Sequence, residues 1–372
     1  MIRLSHESIR QAGDYVEVSL DGIERDLAVS LFRQMLRLRR VEEALHAEYH
    51  PGNEMRCPVH FCIGQESIPA ALSQCIQSED YVFSHHRSHG YYFAKGSPLR
   101  ELFAELYGRE TGANGGMAGS QDISHSQTKF FSGAILAGSI AIGTGVALGI
   151  QMRGSSQVVA CGFGEGATDE GAYWEALDFA AKERLPILFL IENNRYATLS
   201  DQMRRHVSDN ICERAESFGV SSTKIFGNDC PLAYRSIRTA INKIRLGGGP
   251  ALIEAYTYRT CGHVGPEDDS IFNYRPIEEI DFWKAHCPIV LMERELIRQN
   301  IATFEDIKGW EGEITHEIAG YFDYAKQSQF PQMFDWHDAN VNIKTPLADK
   351  LLSSAEPRSY DGHQAETKLG PY

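Results

Sequence analysis

In GFGEGATDEG, residues 162–171, a glutamate sits in the middle of a glycine-rich turn that otherwise suits a phosphate. Gly162, Gly164 and Ala167 spell GxGxxA between an apolar run and a helical pattern, a permissible dinucleotide fingerprint with Glu192 available for a ribose. In that reading a pyrophosphate rests on free backbone N–H groups at a helix N-terminus. Glu165 would lie close to it, with Asp169 and Glu170 in the next turn, and uncompensated like charges oppose binding. A divalent cation removes the conflict. Mg2+ takes about six oxygen ligands, one or two from protein carboxylates and the rest from phosphate, amide, carbonyl and water. A second protein oxygen is available in PILFLIENNRYA, residues 186–197, where an apolar run ends in two asparagines and Asn194 follows Glu165 by 29 positions. One helix and one strand fit that interval, so adjacent parallel strands would bring both side chains to the same sheet edge. Asparagines alone often do no more than make a turn; joined to GEG at this spacing, they favour the metal.

Those two turns need elements to place them. Residues 24–50 carry Leu27, Leu31, Leu36, Leu38, Val41 and Leu45 near a 3.6-residue period, which predicts a long amphipathic helix ended by PGNE. SIPAALSQCI and PLRELFAELYG read as further helices, and AILAGSIAIGTGVALGI, residues 134–150, as a buried helix too short and too interrupted for a membrane span. From residue 157 short apolar runs without alternation (QVVACGF, PILFLIEN, ALIEAYTYR) alternate with helical segments. Such runs suit parallel strands covered on both faces. The fold expected is α/β, a doubly wound, mostly parallel sheet flanked by helices, with ligands at the C-terminal strand ends. The expected organisation is an extension over 1–23, an α/β domain over 24–335, and a tail over 336–372 that wraps a partner or stays mobile.

The 372 residues are 42% hydrophobic and 23% charged, with a formal charge of −14, which argues against sequence-independent binding to nucleic acid or an anionic membrane. An anionic ligand must therefore be met by local positive charge. The start, MIRLSHESIR, lacks the apolar run of a secretory signal, and eight cysteines without a CxxC pair read as reduced thiols. The expectation is a cytoplasmic enzyme.

GEG followed by NN resembles the thiamine-diphosphate and Mg2+ motif usually written GDG…NN, and GEGATDEG with ENNRYA is similar to the alpha subunit of 2-oxo acid dehydrogenases. LFRQMLRLRRVEEAL, HFCIGQESIPAAL, HRSHGYYFAKG, GANGGMAGS, GSIAIGTGVALG and ALIEAYTYRTCGHV resemble segments of that family in the same order, from about residue 24 to 335. The resemblance implies roles. Glu165, the Asn194 side chain and the Tyr196 carbonyl would be Mg2+ ligands. Gly164, Gly166 and Ala167 would let the backbone approach the diphosphate, Arg87 would grip it with a planar fork, and His86 stands beside it where a tyrosine is common. His263 would contact the phosphate end and order the active-site mouth, His60 would lie near the reacting carbon, and Leu136 would prop the cofactor in its bent form. Without the family, His60 would read as a core histidine, Arg87 as a partner of some carboxylate, and His85 with His89 as a weak helical metal pair.

The family also implies a separate beta subunit in an alpha2-beta2 heterotetramer, a lipoyl-bearing acyltransferase and a 2-oxo acid substrate; no beta-like half is present in this sequence. Departures cluster around the entrance. Gly119, Ser120, Gln121 and Asp122 replace GGSMH, Cys261, Gly262, His263 and Val264 replace HGHS, and GPEDDSIFNYR is longer and more acidic than the usual loop. They suggest an unusual 2-oxo acid or an acceptor other than a lipoyl domain. A related carboligase and a nicotinamide-dependent Rossmann oxidoreductase stay open as alternatives.

Overall fold

The apolar runs form a sheet in which every second residue goes to the opposite face and both faces are covered. The computed structural model describes residues 17–49, 55, 57–267 and 269–332. In chain order the strands are β1 Tyr81–Ser84, β2 Ser124–His125, β3 Phe130–Ser132, β4 Val159–Gly164, β5 Ile187–Asn193, β6 Tyr196–Ala197, β7 Ser200–Asp201, β8 Ser221–Phe226 and β9 Ala251–Tyr256. Seven of them make one sheet ordered β2-β3-β1-β4-β5-β9-β8, and β6 with β7 makes a separate hairpin. Every neighbouring pair in the large sheet is parallel except β2 with β3.

On one face Cys161, Phe163, Phe189 and Ile191 pack with Ala147 and Ile150 of the helix Gly138–Met152 and with Tyr173 and Leu177 of the helix Gly171–Glu183. On the other, Val82, Leu188, Leu190 and Ile253 join Leu31 and Met35 of the helix Arg25–Glu48 and Ile237 and Ile241 of the helix Cys230–Arg245. Two covered faces explain the missing period-two alternation. The last of the described helices, Phe304–Gln327, starts with a capping box between Thr303 and Asp306 and lays Phe322 edge-on against Phe103.

Sequence pattern and structure differ at identifiable places. The helix expected over 24–50 spans Arg25–Glu48. The segment 134–150, expected as a buried helix, forms its helix only from Gly138 and leaves Ile142 63% and Met152 79% exposed. An apolar composition all round says that a helix needs covering, and this chain covers one side of it. Strands β1 and β8 carry no clear strand pattern: β1 is four residues long, and β8 alternates exposed and half-buried positions before Ile225 and Phe226. The chain divides into a unit Met1–Pro331 and a unit Gln332–Tyr372, and the sheet with its covering helices belongs to the first. The expected boundary at 335, the tail 336–372 and the first sixteen positions of the expected extension lie outside the described residues; Val18, Leu20 and Ile23 pack into the core. No helix among the described residues is long and apolar enough to cross a membrane.

The order of the sheet fixes where chemistry belongs. From β4 the chain proceeds to β5 on one side, while β1 and β3 lie on the other, so the switch point falls between β1 and β4. Their C-terminal ends carry His85–Arg87 and Glu165.

Candidate active site

A cavity of about 260 Å3 opens at that switch point. It is lined by the residues to which the family resemblance gave roles: Glu165, Asn194 and Tyr196; Gly164, Gly166 and Ala167; Arg87, His86 and Leu136; His60 and His263. Ligand sites usually run from about 300 Å3 upward, and this cavity lies just below that range.

Glu165 is buried at the start of the 3-10 turn Glu165–Asp169. The Thr168 hydroxyl donates to the Glu165 carbonyl at 2.7 Å, and Trp174 Nε1 donates to the Thr168 carbonyl at 2.8 Å, which pins the turn. Arg205 Nη2 donates to Glu165 Oε1 at 2.7 Å while its other nitrogen pairs with Asp169, which also lies 2.5 Å from His206 Nε2. Burial pushes the Glu165 carboxyl upward in pKa and Arg205 opposes it. Pairing of Gly164 with Glu192 in β4 and β5 brings Asn194 to the same edge, as the spacing implied. The two asparagines then part: Tyr196 N–H donates to Asn194 Oδ1 at 3.1 Å beside the cavity, whereas Asn193 Nδ2 donates to Glu254 at 2.8 Å in the sheet. A Cβ on Gly164 would meet only the Glu192 carbonyl oxygen, at 4.0 Å, so no protein contact demands glycine there and a side chain would fill the cavity. Gly166 has a packing reason besides, since its Cβ would lie 2.9 Å from that of Ala197. Ala137, Arg195 and Thr198 all hold positive φ beside the cavity, the kind of backbone strain that gathers at functional sites.

The opposite wall is cationic and imidazole-rich. Arg87 is 3% exposed and its guanidinium donates to two carbonyls, those of Phe61 and, at 3.3 Å, His263. No carboxylate pairs with it among the described residues. Burial, then Arg259, pulls its pKa down to about 10, so it stays charged and lacks an anion. His60, His86 and His263 meet with ring centroids 4.6, 5.0 and 5.7 Å apart. Burial and then Arg87 depress His60 to about 2 and His263 to about 4; burial, then His85, lowers His86 as well. All three rings are neutral at pH 7. Leu136 is 47% exposed at the rim. The pair His85 and His89 is separated: His85 Nε2 lies 3.6 Å from Glu192, and His89 Nδ1 lies 2.6 Å from buried Glu42.

The dinucleotide reading fails on its own residues. A Cβ at Gly162 would run into the Tyr91 ring, so that glycine serves packing, and the long helix starts only at Gly171, beyond the 3-10 turn. Glu192 is buried and already accepts from Gln65 Nε2 at 3.3 Å. Two sequence departures also change meaning. Asp269, in the acidic loop, does not face the entrance; it is held by Arg275 at 2.7 Å and Arg259 at 3.1 Å and accepts from the His263 N–H at 2.9 Å. Asp122 is exposed and accepts from the Ala134 N–H at 2.9 Å, while Gln121 beside it lines the cavity. Sequence reasoning missed Gln65, which bridges Glu192 and Asn194, and Arg205. Gln65 stands in the HFCIGQE segment that carries the family resemblance; nothing in the sequence marks Arg205.

Residues 33–333 match the family model described as "Dehydrogenase E1 component". The chain is 31% identical over 311 residues to the pyruvate dehydrogenase E1 component subunit alpha of Porphyra purpurea, covering 82% of this chain and 89% of that protein. It is 29% identical over 304 residues to the corresponding protein of Rickettsia bellii, covering 82% and 92%. To the somatic, mitochondrial form of Homo sapiens it is 30% identical over 314 residues, covering 84% and 78%.

Proposed function

This chain belongs to the dehydrogenase E1 component family, among its alpha subunits, and from that premise we propose that it holds the diphosphate end of thiamine diphosphate through Mg2+ in a 2-oxo acid dehydrogenase. The observation that carries the reading is the pairing of opposites across one cavity: buried Arg87 without a carboxylate on one wall, Glu165 with Asn194 on the other. A diphosphate bridged by a cation satisfies both.

When bound, thiamine diphosphate would supply a carbon nucleophile and an electron sink for 2-oxo acid decarboxylation. The chain's own residues then bind and position. Glu165, the Asn194 amide oxygen and the Tyr196 carbonyl are the oxygen set that suits a hard cation. Gln65 fixes the Asn194 amide by accepting from its Nδ2 at 3.3 Å. Arg87 would donate to diphosphate oxygens, and Gly164 would leave room for them. His86 and His263 would each offer one N–H to the phosphate end, and buried His60 would lie near the reacting carbon. Leu136 at the rim would support the cofactor.

The proposed partner is a separate beta subunit in an alpha2-beta2 heterotetramer, with a 2-oxo acid as substrate and a lipoyl-bearing acyltransferase as acceptor. The eight cysteines are all free thiols, which suits the reducing cytoplasm. The test is thiamine diphosphate binding by the chain assembled with its beta subunit. Binding is expected to require Mg2+ and to weaken about 100-fold in Glu165→Gln, the loss of a charged ligand costing about 3 kcal/mol. Metal-independent binding of NAD(H) instead would sink the reading; 2-oxo acid turnover with transfer to a lipoyl domain, against transfer to an aldehyde, separates dehydrogenase from carboligase.

A further inference from the structure

Three imidazoles converge on one wall of the cavity from three distant parts of the chain. His60 precedes the helix Ser67–Ser73, His86 follows β1, and His263 lies on the loop after β9. One ring nitrogen from each lies within 4.8 Å of the other two. Nδ1 of His60 and Nδ1 of His263 are buried without a hydrogen-bond partner, and an unpaired buried polar atom calls for an explanation.

We propose that His60, His86 and His263 form a binding site for one borderline transition-metal cation of the Zn2+ or Co2+ class, separate from the oxygen ligands suited to Mg2+. Imidazole nitrogen selects such metals, whereas Mg2+ keeps to oxygen. Tetrahedral Zn–N bonds of about 2.0–2.1 Å put ligand nitrogens about 3.3 Å apart, so modest ring rotations close the observed separation. Neutral rings are the competent form, since a metal ligand must be deprotonated. Of the charged groups lining the cavity, Glu165 is already paired with Arg205, which leaves Glu192 and Arg87. Three protein ligands leave a fourth position open toward the cavity, the pattern of a site that takes water or a ligand oxygen. The inference rests on the three rings and is independent of the cofactor reading. If both hold, metal and diphosphate compete for the same nitrogens, and the metal-bound chain is a form that does not load cofactor.

The experiment uses the full-length chain, stripped of metal by chelation and titrated with Co2+, with the intensity of its visible d–d absorption as the readout. One Co2+ per chain with an intense tetrahedral spectrum is expected, its affinity falling about 100-fold in His86→Phe and in His263→Asn. Glu165→Gln is expected to leave Co2+ affinity within about twofold, because that carboxylate belongs to the hard-cation end. Melting of each metal-free variant serves as the folding control, and Zn2+ is expected to raise the melting temperature of the unaltered chain but of neither histidine variant. Co2+ affinity in both histidine variants equal to that of the unaltered chain overturns the proposal, as does loss of the spectrum in Glu165→Gln or an octahedral spectrum in the unaltered chain.

Discussion

Glu165 is buried and yet must be ionised to hold a cation. Burial raises its pKa, and Arg205 is the group that opposes the rise, 2.7 Å from Oε1 and itself paired with Asp169. One oxygen is thereby occupied, which fixes the carboxylate's orientation toward the cavity. Replacing Arg205 by Met is expected to weaken Mg2+ in cofactor loading by about tenfold, since a hydrogen bond to a charged group is worth about 1.5–3 kcal/mol. Because the metal needs the carboxylate deprotonated, affinity falls as pH drops through the Glu165 pKa, and in the variant that fall moves to higher pH. Mg2+ titrations of cofactor-induced tryptophan quenching at pH 6 and pH 8 check it; identical curves for variant and parent would remove Arg205 from the site. Glu165 and Asn194 were legible in the sequence because their types and spacing state a chemistry. Arg205 and Gln65 were not, because they act through tertiary contacts that no spacing encodes.

At the scale of elements, the end of β5 is anchored by a polar cluster inside the sheet. Asn193 Nδ2 donates to Glu254 of β9 at 2.8 Å and to Gln202 at 3.0 Å, and Cys212 lies 3.3 Å from the second Glu254 oxygen. Burial, then Asp209, raises Glu254 from 4.5 to about 7. For an acid with a raised folded pKa, the stability contributed by protonation is fully present below about 4.5 and is lost as pH rises through about 7, up to roughly 3 kcal/mol as a ceiling. Glu254→Gln keeps the shape without the charge. Its melting temperature is expected to decline less than the parent's between pH 5 and pH 8, leaving the slope due to Asp229, which burial raises to about 6. Parallel declines would refute the assignment. The core strands β4, β5 and β9 were readable from their unbroken apolar runs; edge strand β8 was not, because its first four residues are polar, two of them exposed, and its pattern is that of a polar loop.

For the whole molecule, the decisive feature is what the chain leaves uncovered. The helix Gly138–Met152 seals the sheet with Ile140, Ala147 and Ile150 while Ile142 and Met152 remain exposed, and a Cβ on Gly145 or Gly149 would meet nothing. This face adjoins the cavity through Leu136, so it is the surface expected to meet the proposed partner. Ile142→Asp is expected to change the stability of the isolated chain by no more than about 0.5 kcal/mol, as for other surface changes, and to abolish co-purification with the beta subunit. Unimpaired assembly would place the partner elsewhere. The sequence announced an apolar helix but not its cover, because a period shows which residues want burial and is silent on which molecule provides it.

An uncovered apolar face also has a cost before any catalysis begins. Exposed patches of this kind invite self-association, and whatever covers them stabilises the folded chain by mass action. The soluble yield of this chain is therefore expected to follow the amount of partner made alongside it, so that supply of one subunit limits accumulation of the other.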